Sequence, residues 1–322
     1  MNARRRSKLK KLSPFKNNKQ RAKVLASYDE LLKLWNANAE SRFVETSYGR
    51  THVLLAGDPG NPPLMLFHGV GDNSALMWAL NIGKLSAHFY CIAVDTLGGP
   101  GKSEPGIRFN GEEFHSILWM EEVREGLGLD SLYVAGVSNG AYMAYRYATA
   151  KPDIVRKAVC LEGGMVLHPL KAMLGTVKMM FPELLLPTDR NLRRIITKLS
   201  SPESDVFERY PALADHLVLL MKSHNQRAMF PHKLQKYVVG EAAGLKEKLY
   251  FLLGDHHTVA GPSFVHLLES EGFRYCMIKK AGHALNHEQP ETVHKEMISF
   301  FCKRLRAEAR VTMMQHGEPY HR

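Results

Sequence analysis

Six short apolar runs recur along the chain, at Leu64–Phe67, Phe89–Val94, Leu132–Ala135, Lys157–Leu161, Leu249–Leu253 and Tyr275–Ile278. Helix-patterned segments fall near 75–87, 110–127, 139–150, 262–271 and 290–308. Strands joined through helices run parallel, because each crossover returns the chain to the sheet edge it left. Ahead of them, "RFVETSYGRTHVLLAG" alternates as two strands around a turn at Tyr48-Gly49. A hairpin followed by this alternation predicts an α/β protein, with a mostly parallel sheet covered by helices on both faces. Such a sheet needs a large apolar supply, and 322 residues at 45% hydrophobic content provide it.

Between the fourth and fifth runs the rhythm stops. Residues 165–245 hold no convincing strand, are rich in Met and Leu ("KAMLGTVKMMFPELLLP", "LVLLMKSH") and are punctuated by Pro182, Pro187, Pro202, Pro211 and Pro231. They are expected to form a helical cap inserted into a core made of residues 24–164 and 246–308, with 309–322 as a C-terminal tail. On the carboxyl edge of a parallel sheet, that insert would roof the place where such sheets bind ligands. Before the core, Val24, Leu25, Tyr28, Leu31, Leu32 and Trp35 recur at helical spacing and predict one amphipathic helix.

A net charge of +11 suggests a nucleic-acid partner until it is located. Residues 1–23 carry ten Lys/Arg and no acid; removing those ten of the 43 bases leaves 33 against 32 acids. The charge is a tail, expected to be solvated and disordered. Phe15 is its one aromatic residue, so it has no stacking platform for nucleic acid. Nothing at the N-terminus resembles a signal peptide, and no apolar run approaches the roughly 20 residues a bilayer requires. A cytoplasmic protein is expected. Three of the four cysteines (Cys91, Cys160, Cys276) lie in strand-like runs and read as reduced core thiols.

The chemistry is concentrated in three segments. In "LYVAGVSNGAYMA", residues 132–144, Gly136-Val137-Ser138-Asn139-Gly140 places G-x-S-x-G on a strand-to-helix turn. Side chains at the two glycine positions would collide with the neighbouring strand and helix. The sharp bend lifts the Ser138 hydroxyl above the sheet. The first amides of the following helix, that of Asn139 among them, then point at any developing oxyanion. In "LFHGVGDNS" the turn at His68-Gly69 frees the Val70 amide as a second donor, and His68 reads as structural. In "KKAGHALNHEQPETV", His283 follows a turn near the C-terminus, where an imidazole suits acid–base work at neutral pH. His283 and His287 make H-x-x-x-H, but Ala284 stands where a zincin has glutamate. "GGPGKS", residues 98–103, lacks the Walker spacing of a phosphate loop.

His-Gly, G-x-S-x-G and G-H-x(6)-P, in this order within a βα alternation broken by a helical insert, resemble the α/β-hydrolase superfamily. The stretch "YDELLKLWNANAESRFVETSYGRTHVLLAGDPGNPPLMLFHGVGDNSALMW", with "AVDTLGGPGKS" and "AGHALNHEQPE", is similar to its bacterial carboxylesterase-like members. The resemblance covers roughly residues 25–305 and is weakest in the insert. It implies Ser138 as nucleophile, His283 as general base, and Val70 and Asn139 as oxyanion-hole amides.

One element departs from the family pattern. The family usually places its acid three residues beyond a glycine after the penultimate core strand, and Gly254-Asp255-His256-His257 puts His257 there. Two carboxylates can substitute. Asp255 lies in the same turn; Glu162, in "AVCLEGG", ends the preceding strand, where some superfamily members carry their acid. Burying a glutamate directly after an apolar strand is costly without a partner, which favours Glu162 and leaves Asp255 as the alternative.

The resemblance implies a serine hydrolase that cleaves a carboxylic ester or thioester through an acyl-enzyme, with no cofactor and no metal. A Met- and Leu-rich cap suits an apolar acyl or aromatic group. Identical residues would serve a biosynthetic acyltransferase or cyclase whose dry cap excludes water. A non-catalytic ligand-binding relative would keep the fold alone. The basic tail would allow docking to an acidic carrier protein or an anionic surface.

Overall fold

The computed structural model describes residues 12–256 and 261–315, with side chains through Cys302 apart from those at 172, 173 and 176. The strands are β1 (Ala39–Thr46), β2 (Gly49–Ala56), β3 (Pro63–Phe67), β4 (Tyr90–Val94), β5 (Glu104–Pro105), β6 (Leu132–Val137), β7 (Val155–Leu161), β8 (Leu249–Gly254) and β9 (Arg274–Ile278). They form one sheet in the order β1-β2-β4-β3-β6-β7-β8-β9, with the two-residue β5 on β2. The hairpin β1–β2 and the β2–β4 pair are antiparallel. Every pair from β4 to β9 is parallel.

The helices are α1 (Asn18–Leu31), α2 (Ser116–Gly126), α3 (Asn139–Ala150), α4 (Pro169–Met180), α5 (Asp189–Leu199), α6 (Pro211–Ser223), α7 (Pro262–Glu271) and α8 (Pro290–Gln315), besides shorter turns. Strand periodicity sorts the core into two layers. Leu64, Leu66, Ala135, Val159 and Leu252 face α1, the turn that follows it and α8, where Tyr28, Trp35, Met297 and Phe301 are buried. Met65, Phe67, Val134, Cys160 and Phe251 face the other way, against Trp119, Tyr147 and Leu268 of α2, α3 and α7. Every residue of β6 is buried, as a central strand covered on both sides requires. No helix among the described residues is long and apolar enough to cross a membrane.

Residues 165–245 form helices and turns. Leu192, Ile195 and Ile196 of α5 pack with Ala214 and Val218 of α6 into a small separate core. Three histidines clasp this insert to the sheet's loops. His224 Nε2 lies 3.0 Å from the Gly98 carbonyl and His232 Nε2 lies 2.8 Å from that of Leu97. His216 Nδ1 donates to Ser27 Oγ at 2.7 Å, and its Nε2 accepts from Asn73 Nδ2 at 3.0 Å. Burial lowers all three rings to about 4. The unfolded chain, with ordinary imidazoles near 6.5, therefore binds more protons between those limits. Stability is present above about pH 6.5 and is lost as the pH falls through that window. A thermal melt series is expected to show Tm dropping steadily from about pH 7 to about pH 4.5; a flat profile would contradict the clasp.

The boundary drawn at residue 23 needs correction. Residues 12–23 of the basic segment are described and folded: Asn17 caps α1 through the Gln20 amide, and Phe15 is buried. Phe15 forms a β-bridge with His224, Lys16 N–H donates to Ser223 O at 3.0 Å, and Asn225 N–H donates to Pro14 O at 2.8 Å. One apolar side chain and a few backbone bonds tie down a stretch that charge alone marks as solvated. Residues 1–11 lie outside the described residues, and α8 runs past 308 to Gln315.

Candidate active site

At the carboxyl end of β6 the chain turns into α3 through Ser138, with φ 57° and ψ −115°. The two glycines around it are obligatory. A Cβ at Gly136 would lie 2.2 Å from the Gly140 carbonyl carbon, and one at Gly140 would lie 2.3 Å from the Phe67 oxygen. The neighbouring strand holds the bend, since Ser138 N–H donates to Leu161 O at 2.8 Å. Such backbone costs about 1–3 kcal/mol and persists only where its surroundings fix it.

The turn after β3 comes up beside the serine: a Cβ at Gly69 would sit 3.6 Å from Ser138 Cβ. His68 holds that turn from below. Its Nε2 accepts the Thr96 N–H at 2.9 Å while Nδ1 donates to Gly69 O at 2.8 Å. Both nitrogens are occupied and the ring is buried, so His68 is structural. Val70, next in the chain, is 57% exposed. Asn139 opens α3, where the first amides have no partner within the helix.

Glu162 ends β7 in a second strained conformation, φ 52°. Its carboxylate is buried, with Oε1 accepting Gly254 N–H at 2.7 Å and Oε2 3.3 Å from His283 Nδ1. An unpaired carboxylate here would cost several kcal/mol. Asp255 is placed differently: it is half-buried and accepts the Ala281 N–H at 3.3 Å, stapling the loop that carries His283. His256 N–H donates to Ala281 O, and His257 lies outside the described residues. Among the described residues no hydrogen bond joins the Ser138 hydroxyl to the His283 ring. The order along the sheet edge is hydroxyl, carboxylate, imidazole, on β6, β7 and the turn after β9.

Glu288 and Asp95 are among the buried carboxylates that escaped the sequence reading. Glu288 accepts Gly282 N–H at 3.0 Å and Ser201 N–H at 2.7 Å, tying the His283 loop to the insert. Burial pushes its carboxyl up, and those amide bonds pull it back only in part. His283 N–H itself donates to Leu199 O at 2.7 Å, at the end of α5. Asp95 ends β4 with no exposure. Burial pushes its carboxyl up, but the 2.8 Å bond from His52, the charges of the His52 and His68 rings and the Lys102 amide together outweigh that and hold it below the usual carboxylate range. Lys102 N–H also donates to Asp95, at 2.8 Å, and a Cβ at Gly101 would overlap its carboxylate. "GGPGKS" thus wraps a side chain of its own protein. A capping-box or turn pattern would have flagged neither acid, because Ser201 N–H and Ser74 N–H reach them from distant segments and Gly282 and Lys102 stand six and seven residues away, outside either spacing.

A cavity of about 490 Å³ lies elsewhere, between Trp35, Tyr210, His287 and Pro290. It includes none of Ser138, Glu162 and His283, and volume without a reactive group does not make it the site. His287 is buried against it, with its ring held at about 4 by desolvation.

A family model described as alpha/beta hydrolase fold matches residues 62–194. Carboxylesterase YbfK of Bacillus subtilis (strain 168) is 27% identical over 286 residues, covering 86% of this chain and 92% of that protein. The uncharacterized carboxylesterase nap of the same strain is 27% identical over 289 residues, covering 85% and 91%. The crystal structure of carboxylesterase CesB (YbfK) from Bacillus subtilis superposes with a TM-score of 0.74 at 26% identity, covering 88% of this chain and 99% of that one.

Proposed function

Because the chain is an α/β-hydrolase enzyme that resembles bacterial carboxylesterases, we propose that it cleaves esters or thioesters of an apolar acyl or aromatic group through an acyl-enzyme on Ser138. The observation that carries this reading is the pair of strained strand ends on neighbouring strands, Ser138 at φ 57° and Glu162 at φ 52°, with His283 against the second. Ser138 Oγ attacks the carbonyl carbon while His283 Nε2 takes its proton. Nδ1 keeps its hydrogen, and the Glu162 charge stabilises the imidazolium that forms. The amides of Val70 and Asn139 receive the carbonyl oxygen as it gains charge, a contribution of about 3 kcal/mol per donor. The bond to the alcohol or thiol then breaks, and the leaving group takes the proton from His283. Water repeats the sequence and releases the acid. The Ser138–His283 contact closes in the substrate complex, where catalytic hydrogen bonds tighten.

Apolar preference is supported by the exposed Val70 side chain of the turn after β3 and by the Met- and Leu-rich composition of the insert. The test is a series of p-nitrophenyl esters of rising acyl length, followed by a rapid quench. The expected result is a burst of p-nitrophenol, a higher kcat/KM for the longer acyl groups than for acetate, and an acyl mass increment on the Ser138 peptide. Turnover with the increment on another residue, or with none, would defeat the proposal.

A further inference from the structure

The insert buries most of its apolar side chains in its own core or against the sheet, but α4 does not. Leu170, Leu174 and Val177 recur at intervals of four and three residues, and Phe181 follows four later at the helix's C-cap. All four are more than half exposed, Leu170 at 76%. The spacing puts them along one side of the helix. Leu185 and Leu186, in the turn that follows, extend the row and are exposed by about two-thirds, 67% and 69%. Scattered exposed leucines are ordinary, whereas a contiguous row of this size marks a surface that meets something apolar.

Charge identifies what it meets. Lys171 and Lys178 each follow a residue of the row by one position, and α5 adds Arg190 and Arg194; all four are exposed. None forms a salt bridge among the described residues, although the Arg194 charge adds to that of Lys198 on Glu183. The acids in this stretch are already engaged, Glu183 with Lys198 and Asp189 with Lys222. An exposed apolar row flanked by unpaired bases is the pattern of a helix lying in a lipid–water interface. A second copy of the chain is a poorer occupant, because a two-fold interface would set these bases against themselves.

We propose that the exposed side of α4 and the turn after it dock on an anionic phospholipid surface. The apolar row enters the acyl boundary, and Lys171, Lys178, Arg190 and Arg194 lie at headgroup level. This concerns binding and stands whether or not Ser138 is the nucleophile.

The test is sedimentation of the full chain with vesicles of diether phosphatidylglycerol, which has no ester to cleave, against diether phosphatidylcholine. Binding is expected to be at least about tenfold tighter to the anionic vesicles and to weaken with salt. Leu174→Asp combined with Val177→Asp should lower it by at least about tenfold with Tm unchanged, since both side chains are exposed. Lys171→Glu with Lys178→Glu should lower it and reduce its salt dependence. Three results would overturn the proposal. One is no binding by the unaltered chain. Another is binding that survives the double aspartate variant, which would assign it to the N-terminal bases. The third is a dimer in lipid-free sedimentation velocity that the same variant dissolves, which would make the row an interface between copies.

Discussion

Ser138→Ala is expected to lower kcat for an activated ester by about 10⁵-fold or more while leaving Tm within a degree or two. The hydroxyl sits at a bend that the glycines and the Leu161 carbonyl hold without its help, so the fold has no need of it. What survives should be the contribution of the Val70 and Asn139 amides and of binding, roughly 10³-fold over water. The same variant should fail to take up a fluorophosphonate that labels the unaltered chain stoichiometrically. Retention of more than about a hundredth of the rate would remove Ser138 from the chemistry.

The second large effect separates two carboxylates. Glu162→Gln should reduce kcat by about 10³- to 10⁴-fold, the scale expected when a triad loses the charge that fixes its imidazole. The geometry shows why the amide fails. One oxygen of Glu162 accepts the Gly254 N–H, so a glutamine keeping that bond turns its NH₂ toward His283 Nδ1. Two donors then face each other, or the ring adopts the tautomer that cannot take the Ser138 proton. Asp255→Asn should change kcat less than about fivefold, because the asparagine carbonyl still accepts the Ala281 N–H. The opposite ranking in steady-state kinetics would transfer the role to Asp255.

The strands were legible because each is a local pattern: apolar runs of four to six residues bounded by Gly, Pro or a charge change. The parallel strands accordingly appear within about two residues of where periodicity puts them. The elbow was legible for a different reason: Gly136 and Gly140 record a steric requirement in the sequence itself. Glu162 could be favoured over Asp255 only through a burial cost, and distance along the chain carried no direction for either side chain. The anchoring of Phe15, the role of Glu288 and the histidine clasp were not legible at all. Each depends on a partner some 80 to 210 residues away, and no local period announces such a pairing. The two-residue β5 was missed because it is too short to show alternation.

The bond from Asn225 Nδ2 to the Ser13 carbonyl spans 212 residues. On the ribosome Ser13 emerges well before Asn225, and its seat at the end of α6 is made only after most of the sheet's strands. Closing so long a loop is rewarded only once the intervening chain has collapsed, so this strap belongs among the last contacts of folding. For the same reason it should be among the earliest to open under denaturant, releasing the end of α6 while β6 and β7 still stand.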